Sequence, residues 1–138
     1  EIIDFTLSNG AAAVMAHPIH TKFKPDILYN VVRELQQAGL SGIEVFHASQ
    51  PRANRQLYLD IIRDLGLITA GGSDFHGGTA HPENKLGTGR RHNLNMPYMV
   101  LEQLHAAANA PAANTAAPLS SASPVPPVSY YAELEKYL

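Results

Sequence analysis

The sequence predicts an α/β fold built on a parallel sheet, and three observations predict it. Helix-like and strand-like patterns alternate as α-β-α-β-α-β over the first seventy or so residues with short connections, an order that favours parallel strands joined by right-handed crossovers. The first strand candidate, Ala11–Ala16, is a small, wholly apolar run, as a buried strand requires. All three strand candidates carry imidazole or carboxylate residues at or near their C-terminal ends: His17 after the first, Glu44 and His47 in the second, Asp74 and His76 after the third.

Taken in order, residues 1–9 carry Ile2, Ile3, Phe5 and Leu7 and stop at Gly10, a helix followed by a glycine stop. His17-Pro18 ends the strand over 11–16, because proline continues neither a helix nor a strand ladder. Pro25 and Asp26 open a helix whose Ile27, Leu28, Val31, Val32 and Leu35 keep a 3.6-residue period up to Gly39. The run GIEVFH, residues 42–47, is the second strand, and residues 52–65 are a helix closed by Gly66. The third strand leads into ITAGGSDFHGG, residues 68–78. If the chain there stays extended, Asp74 and His76 point the same way with roughly 6–7 Å between their Cα atoms. That spacing can bracket two metal ions about 3.5–4 Å apart. A glycine-rich loop over 77–93 holds His81 and the Arg90-Arg91-His92 cluster, which reads as solvated, and a last helix covers about 97–108.

Composition then changes. Residues 109–128 are mostly Ala, Pro and Ser without charge or period, which reads as a disordered linker. Residues 129–138 read as a short C-terminal helix or tail. Residues 1–108 are thus one folded unit. The chain has 138 residues, 45% of them hydrophobic, with a net charge of −2 and no cysteine. A broad nucleic-acid-binding surface is not expected at that charge. The lack of cysteine suits a reducing, cytoplasmic setting. No apolar run approaches the roughly 18 residues of a membrane span, and no signal peptide opens the chain. The chain lacks an initiator Met and begins inside a helix pattern, so it is expected to be the C-terminal part of something longer.

In parallel α/β folds the active site lies at the C-terminal strand ends. Imidazole and carboxylate there, without thiolate, suit zinc, manganese or iron. At this point the residues resemble a known family. His17-Pro18 after an apolar strand, the GIEVF-type strand, and Gly72-Ser73-Asp74-Phe75-His76-Gly77 look like the PHP-domain phosphoesterases. They are most similar to the TrpH-like branch, which includes nucleoside 3′,5′-bisphosphate phosphatases and 5′–3′ exoribonucleases. The resemblance covers roughly residues 1–108. It implies the C-terminal portion of a distorted (β/α)7 PHP barrel and a trinuclear site for divalent metal ions, manganese first, with zinc or iron as alternatives. It gives His17 to one metal and Asp74 and His76 to two different ones. Glu44 and His47 match no family ligand. His20, Lys22 and Lys24, in the loop after His-Pro, are candidate phosphate contacts. No protein nucleophile is needed, because a metal-activated water attacks. The expected partner is a small phosphorylated nucleotide or a short 5′-phosphorylated RNA.

The family's N-terminal signature, a strand with His-x-His and a following Asp, is absent, as are its next His and its bridging Glu. The N-terminal half of such a domain is therefore missing from this chain, and the isolated chain is expected to bind metal weakly and not to catalyse. The alternatives are a PHP exonuclease, a histidinol-phosphate phosphatase, or an inactive PHP-like binding module.

Overall fold

The structure, a computed structural model, describes residues 1–109 and 125–138. The segment read as a linker, 109–128, lies outside the described residues apart from its two ends.

The first helix, α1 (Ile2–Ser8), buries no residue fully. Its Ile3 and Leu7 lie against Gly39, while Ile2 and Phe5 face outward. The strand expected over 11–16 is reduced to β1 (Val14–Met15). Only those two residues are paired, Val14 with Gly42 and Met15 with Ile43 of β2 (Gly42–His47). Between them runs α2 (Pro25–Gln37), which starts on proline at its first turn with Asp26 beside it. Proline's fixed φ and an acidic residue at the positive helix end both favour that start. Its Leu28 and Val32, four residues apart, are buried in the hydrophobic core, where α2 packs against the helix that follows β2. The next helix, α3 (Arg52–Leu65), buries Tyr58, Leu59, Ile61 and Ile62 and ends at Gly66. It leads into β3 (Ile68–Gly72). Among the described residues the parallel sheet has three strands in the order β1-β2-β3.

The pairing of β2 with β3 slips by one residue. Glu44 opposes Ala70, and Phe46 opposes Gly71, so Val45 is the extra residue of a bulge. Val45, Phe46 and His47 are all buried, as Gly42 and Ile43 are before the bulge, which fits a central strand covered on both faces. Bulges re-aim side chains beside active sites, and this one lies where β2 approaches its polar end.

The region read as a glycine-rich loop has structure of its own. It contains a one-turn helix, α4 (Gly77–Ala80), and a small antiparallel hairpin of β4 (Asn84–Lys85) and β5 (Gly89–Arg90). Gly87 and Gly89, both at positive φ, take the turn positions that favour glycine. Beyond it, α5 (Met99–Ala108) packs on β3 through residues such as Val100, which is buried.

The last helix, α6 (Val128–Leu134), is continued by a 3-10 turn to Tyr137. It closes the free edge of β3. The Ile68 N–H points toward the neighbouring strand and donates to Ser41 O at 3.0 Å. Among the described residues no strand pairs with the backbone groups on the other side. The Thr69 N–H donates instead to Tyr130 Oη at 3.2 Å, and Tyr131 Oη donates to Leu67 O at 3.0 Å. Both tyrosines are buried, and Leu134 is fully buried beside them. Burial pushes both phenols up to about 12. An uncovered strand edge invites pairing with other chains. Here two side-chain hydroxyls stand in for part of a fourth strand.

Candidate functional site

The sheet delivers its polar residues to one rim. His17 follows β1, Glu44 and His47 belong to β2, and Asp74 and His76 follow β3. Two of these residues have left-handed backbone: His17 at φ 32° and Asp74 at φ 54°. Such conformations cost about 1–3 kcal/mol in non-glycine residues and persist where the surroundings impose them, although Asp tolerates this region better than most. The impositions are visible. The His17 N–H donates to Glu44 Oε2 at 2.7 Å. A Cβ at Gly72 would sit 3.2 Å from Glu44 Oε1, so glycine leaves the carboxylate its place. Glu44 is thus a positioning residue for the His17 turn.

Asp74 is held from the hairpin. Asn84 Nδ2 donates to Asp74 O at 3.0 Å and to Asp74 Oδ2 at 3.3 Å. Asn84 is buried, which explains why the hairpin belongs to the site. No pattern in the sequence signals this residue, an asparagine between Glu83 and Lys85 in a stretch that reads as loop. The turn also corrects the extended geometry expected for Asp74 and His76. The strand ends at Gly72. The chain then folds back, so that His76 Nδ1 lies 3.0 Å from Asp74 O and 3.5 Å from Asp74 Oδ1.

Three imidazoles gather at the other side of the rim. The ring centroids of His17, His20 and His47 are separated by 5.2 Å, 5.9 Å and 6.1 Å, all edge to face. His20, read as a phosphate contact, stands in this triangle. His47, which matches no family ligand, is its buried member at 2% exposure. Its Nε2 lies 3.8 Å from Asp74 Oδ1 and has no hydrogen-bond partner among the described residues. Lys22 and Lys24 lie on the exposed stretch between the 3-10 turn Pro18–Thr21 and α2.

Hydrogen bonding assigns the protons on two rings of the rim, His47 and His76. The Ser49 N–H donates to His47 Nδ1 at 3.2 Å, and Ser49 Oγ lies 2.9 Å away. Nδ1 is therefore the acceptor, and neutral His47 carries its proton on Nε2, facing Asp74. His76 is the reverse. Its Nδ1 faces a carbonyl, which only accepts, so Nδ1 holds the proton and Nε2 keeps a free lone pair. An imidazole oriented by its Nδ1–H with a bare Nε2 is the usual arrangement of a metal-ligating histidine.

A divalent ion thus meets suitable donors in the Asp74 carboxylate, His76 Nε2 and the exposed His17 ring. The set is incomplete for any single ion: among the described residues no three His, Asp or Glu side chains converge on one point.

No family model matches this chain. No solved structure matches it. Among curated proteins it is similar to the phosphoribosyl 1,2-cyclic phosphate 1,2-diphosphodiesterase of Eggerthella lenta, at 30% identity over 77 residues, which is 56% of this chain and 28% of the relative. The chain therefore spans little more than a quarter of that relative's length. No helix among the described residues is long and apolar enough to cross a membrane. The likeness that the comparisons establish is to a hydrolase of phosphate diesters, carried on a chain whose imidazoles and carboxylates share one sheet rim.

Proposed function

We propose that this chain is the C-terminal portion of a PHP-type barrel and carries part of the site of a metal-dependent phosphoesterase. The observation that carries the reading is the single rim on which His17, Asp74 and His76 stand, on a chain similar to a phosphodiesterase. His17, Asp74 and His76 are the residues that would hold divalent ions, shared among several ions and completed by donors beyond those described. Bound there, such ions would offset charge on phosphoryl and leaving oxygens. The chain's own contribution is positional. Glu44 fixes the His17 turn, Asn84 fixes Asp74, and the His47 Nε2–H is a donor for an oxygen entering beside Asp74. The substrate is a small phosphate ester, of the nucleoside 3′,5′-bisphosphate, 5′-phosphorylated RNA or cyclic phosphodiester class.

The test is an assay of the complete protein after chelation, with Mn, Zn or Mg restored separately. Nucleoside 3′,5′-bisphosphate, short 5′-phosphorylated RNA, histidinol phosphate and a sugar 1,2-cyclic phosphate are the substrates. Metal-dependent turnover of at least one, lost by on the order of a hundredfold or more in Asp74→Asn, is expected. No metal-dependent turnover on any of them overturns the reading.

One observation favours a second reading, a binding module without turnover: no complete donor set is formed among the described residues. Stoichiometric metal in the purified complete protein decides against that module.

A further inference from the structure

On the loop leaving β2 and the start of α3, a separate cavity of 480 Å³ is bordered by Gln50, Arg52, Arg55, His92, Asn93 and Lys136, among others. Its chemistry is unusual in what it leaves unpaired. Gln50 is 4% exposed, and neither its amide nitrogen nor its oxygen has a partner among the described residues. Arg55 is 6% exposed, and its Nε is likewise unpartnered. Among the described residues its guanidinium makes one hydrogen bond, a long one, Nη2 to Asn93 O at 3.4 Å. Phe46 lies beneath, with the Arg55 Cζ 5.9 Å from its ring centroid. Buried polar groups without partners cost about 1–3 kcal/mol each, more when charged, and native proteins keep few of them.

The electrostatics are one-sided. Arg52 and Arg55 are three residues apart and so share a helix face. Both sit in the opening turns of α3, which contain no acidic residue and no side-chain cap. The positive end of the helix dipole and two guanidiniums therefore coincide, an arrangement that disfavours the cations themselves. Burial and the charge of Arg52 hold the Arg55 guanidinium below its ordinary value. In the described chain Arg63, Arg90 and Lys136 have carboxylate partners. Arg52 and Arg55 are in no ion pair there; Arg33, Arg91, Lys22, Lys24 and Lys85 are also unpaired but exposed, whereas Arg55 is buried. Among the described residues no Asp or Glu side chain borders the cavity, whose far side is formed by Lys136, Tyr137 and Leu138.

We propose that this cavity binds the phosphate group of a small hydroxylated phosphomonoester. Arg55 and Arg52 grip the phosphate oxygens, for which the planar guanidinium fork is suited. The Gln50 amide, able to donate and accept at once, pairs a neighbouring hydroxyl that free phosphate lacks. The cavity lies beside the strand-end rim, on the loop that follows His47, but its lining includes none of His17, Asp74 or His76, and its occupation does not depend on the metal reading.

The experiment is a titration of the full chain at constant ionic strength with EDTA present, so that no strand-end metal contributes. Inorganic phosphate is one arm and ribose 5-phosphate the other, and the readout is the Arg55 Nε–H resonance together with calorimetry. Both should saturate, with ribose 5-phosphate bound several-fold tighter. Gln50→Leu should erase that difference while leaving phosphate binding in place. Loss of charge-assisted hydrogen bonds in Arg55→Lys should weaken both by about tenfold or more. Arg52→Gln, at an exposed position, should weaken both by about threefold to tenfold without touching the core, and it decides the matter if Arg55→Lys fails to fold. A response no larger than that to chloride, or one unchanged by Arg52→Gln, overturns the proposal. Equal affinity for the two probes overturns the role given to Gln50.

Discussion

The two ends of β3 are treated in opposite ways. At its start, the Leu67 carbonyl and the Thr69 N–H meet tyrosine hydroxyls in a dry setting. At its finish, the chain turns through a left-handed aspartate, His76 is exposed, and the buried His47 Nε2 opposite has no partner among the described residues. One end satisfies its polar groups and hides them; the other leaves them available. Five residues of strand separate a region that holds the sheet together from one that is poised to bind something. The contrast teaches where to look for cost: unpartnered and strained groups accumulate at the rim, while the edge carries none of that burden.

Breaking the closed end should have the largest effect. Leu134 is fully buried beneath the tyrosines, and Leu134→Ala should cost about 2–5 kcal/mol, as buried leucine truncations do. Chemical denaturation would measure it. A loss below about 1 kcal/mol would show that α6 is loosely attached and that β3 tolerates an open edge.

Alkali acts on the same end through the phenols. In the fold both are raised from 10 to about 12. A raised value favours the protonated, native form, so its stabilisation is complete below pH 10. It fades as pH rises from about 10 to about 12, with a ceiling of roughly 2–3 kcal/mol per tyrosine. Denaturation midpoints should hold steady from pH 8 to 9.5 and then fall. Replacing both tyrosines by phenylalanine should flatten that fall while lowering stability at neutral pH by about 1 kcal/mol per hydroxyl.

At the open end the stability change should be smallest and the functional change largest. His76→Ala, at an exposed position, should move stability by no more than about 0.5 kcal/mol. Its effect should appear in nitrogen-15 spectra instead. Wild-type His76 should show its lone pair on Nε2 and lose that signal on titration with Mn or Zn. His47 should show its lone pair on Nδ1 and respond less. Matching tautomers on the two rings would dissolve the distinction between them.

Much of the sheet and its covering helices was legible in the sequence, but not the closure of the β3 edge by Tyr130 and Tyr131. The helices α2 and α3 follow from 3.6-residue periodicity and glycine stops, and β2 and β3 from short apolar runs of the right length. The rim was legible as a set of residue types, because strand ends in such folds gather polar side chains. Its geometry was not. The fold-back of His76 onto Asp74 depends on a left-handed backbone that no residue pattern announces. Asn84 contributes through a hairpin whose glycines looked like loop. The proton positions on His47 and His76 depend on Ser49 and on one carbonyl, which only the folded chain brings near. The helix over residues 52–65 was legible, but the pairing of Arg52 and Arg55 at a cavity and the isolation of Gln50 arise only from packing.

The tyrosine closure has a consequence for the order of events during synthesis. Thr69 and Tyr130 are 61 residues apart in sequence, and Leu67 and Tyr131 are 64 apart. At about 5–20 residues per second, β3 leaves the ribosome roughly 3–12 s before the hydroxyls that cover its edge. During that interval the strand can pair with whatever it meets, including the same strand of a neighbouring nascent chain. Slow contacts of long sequence separation are also those that limit folding rate. The last stretch of this chain therefore acts as a timer on the sheet's exposure, and crowded translation of one message is the condition under which that exposure matters most.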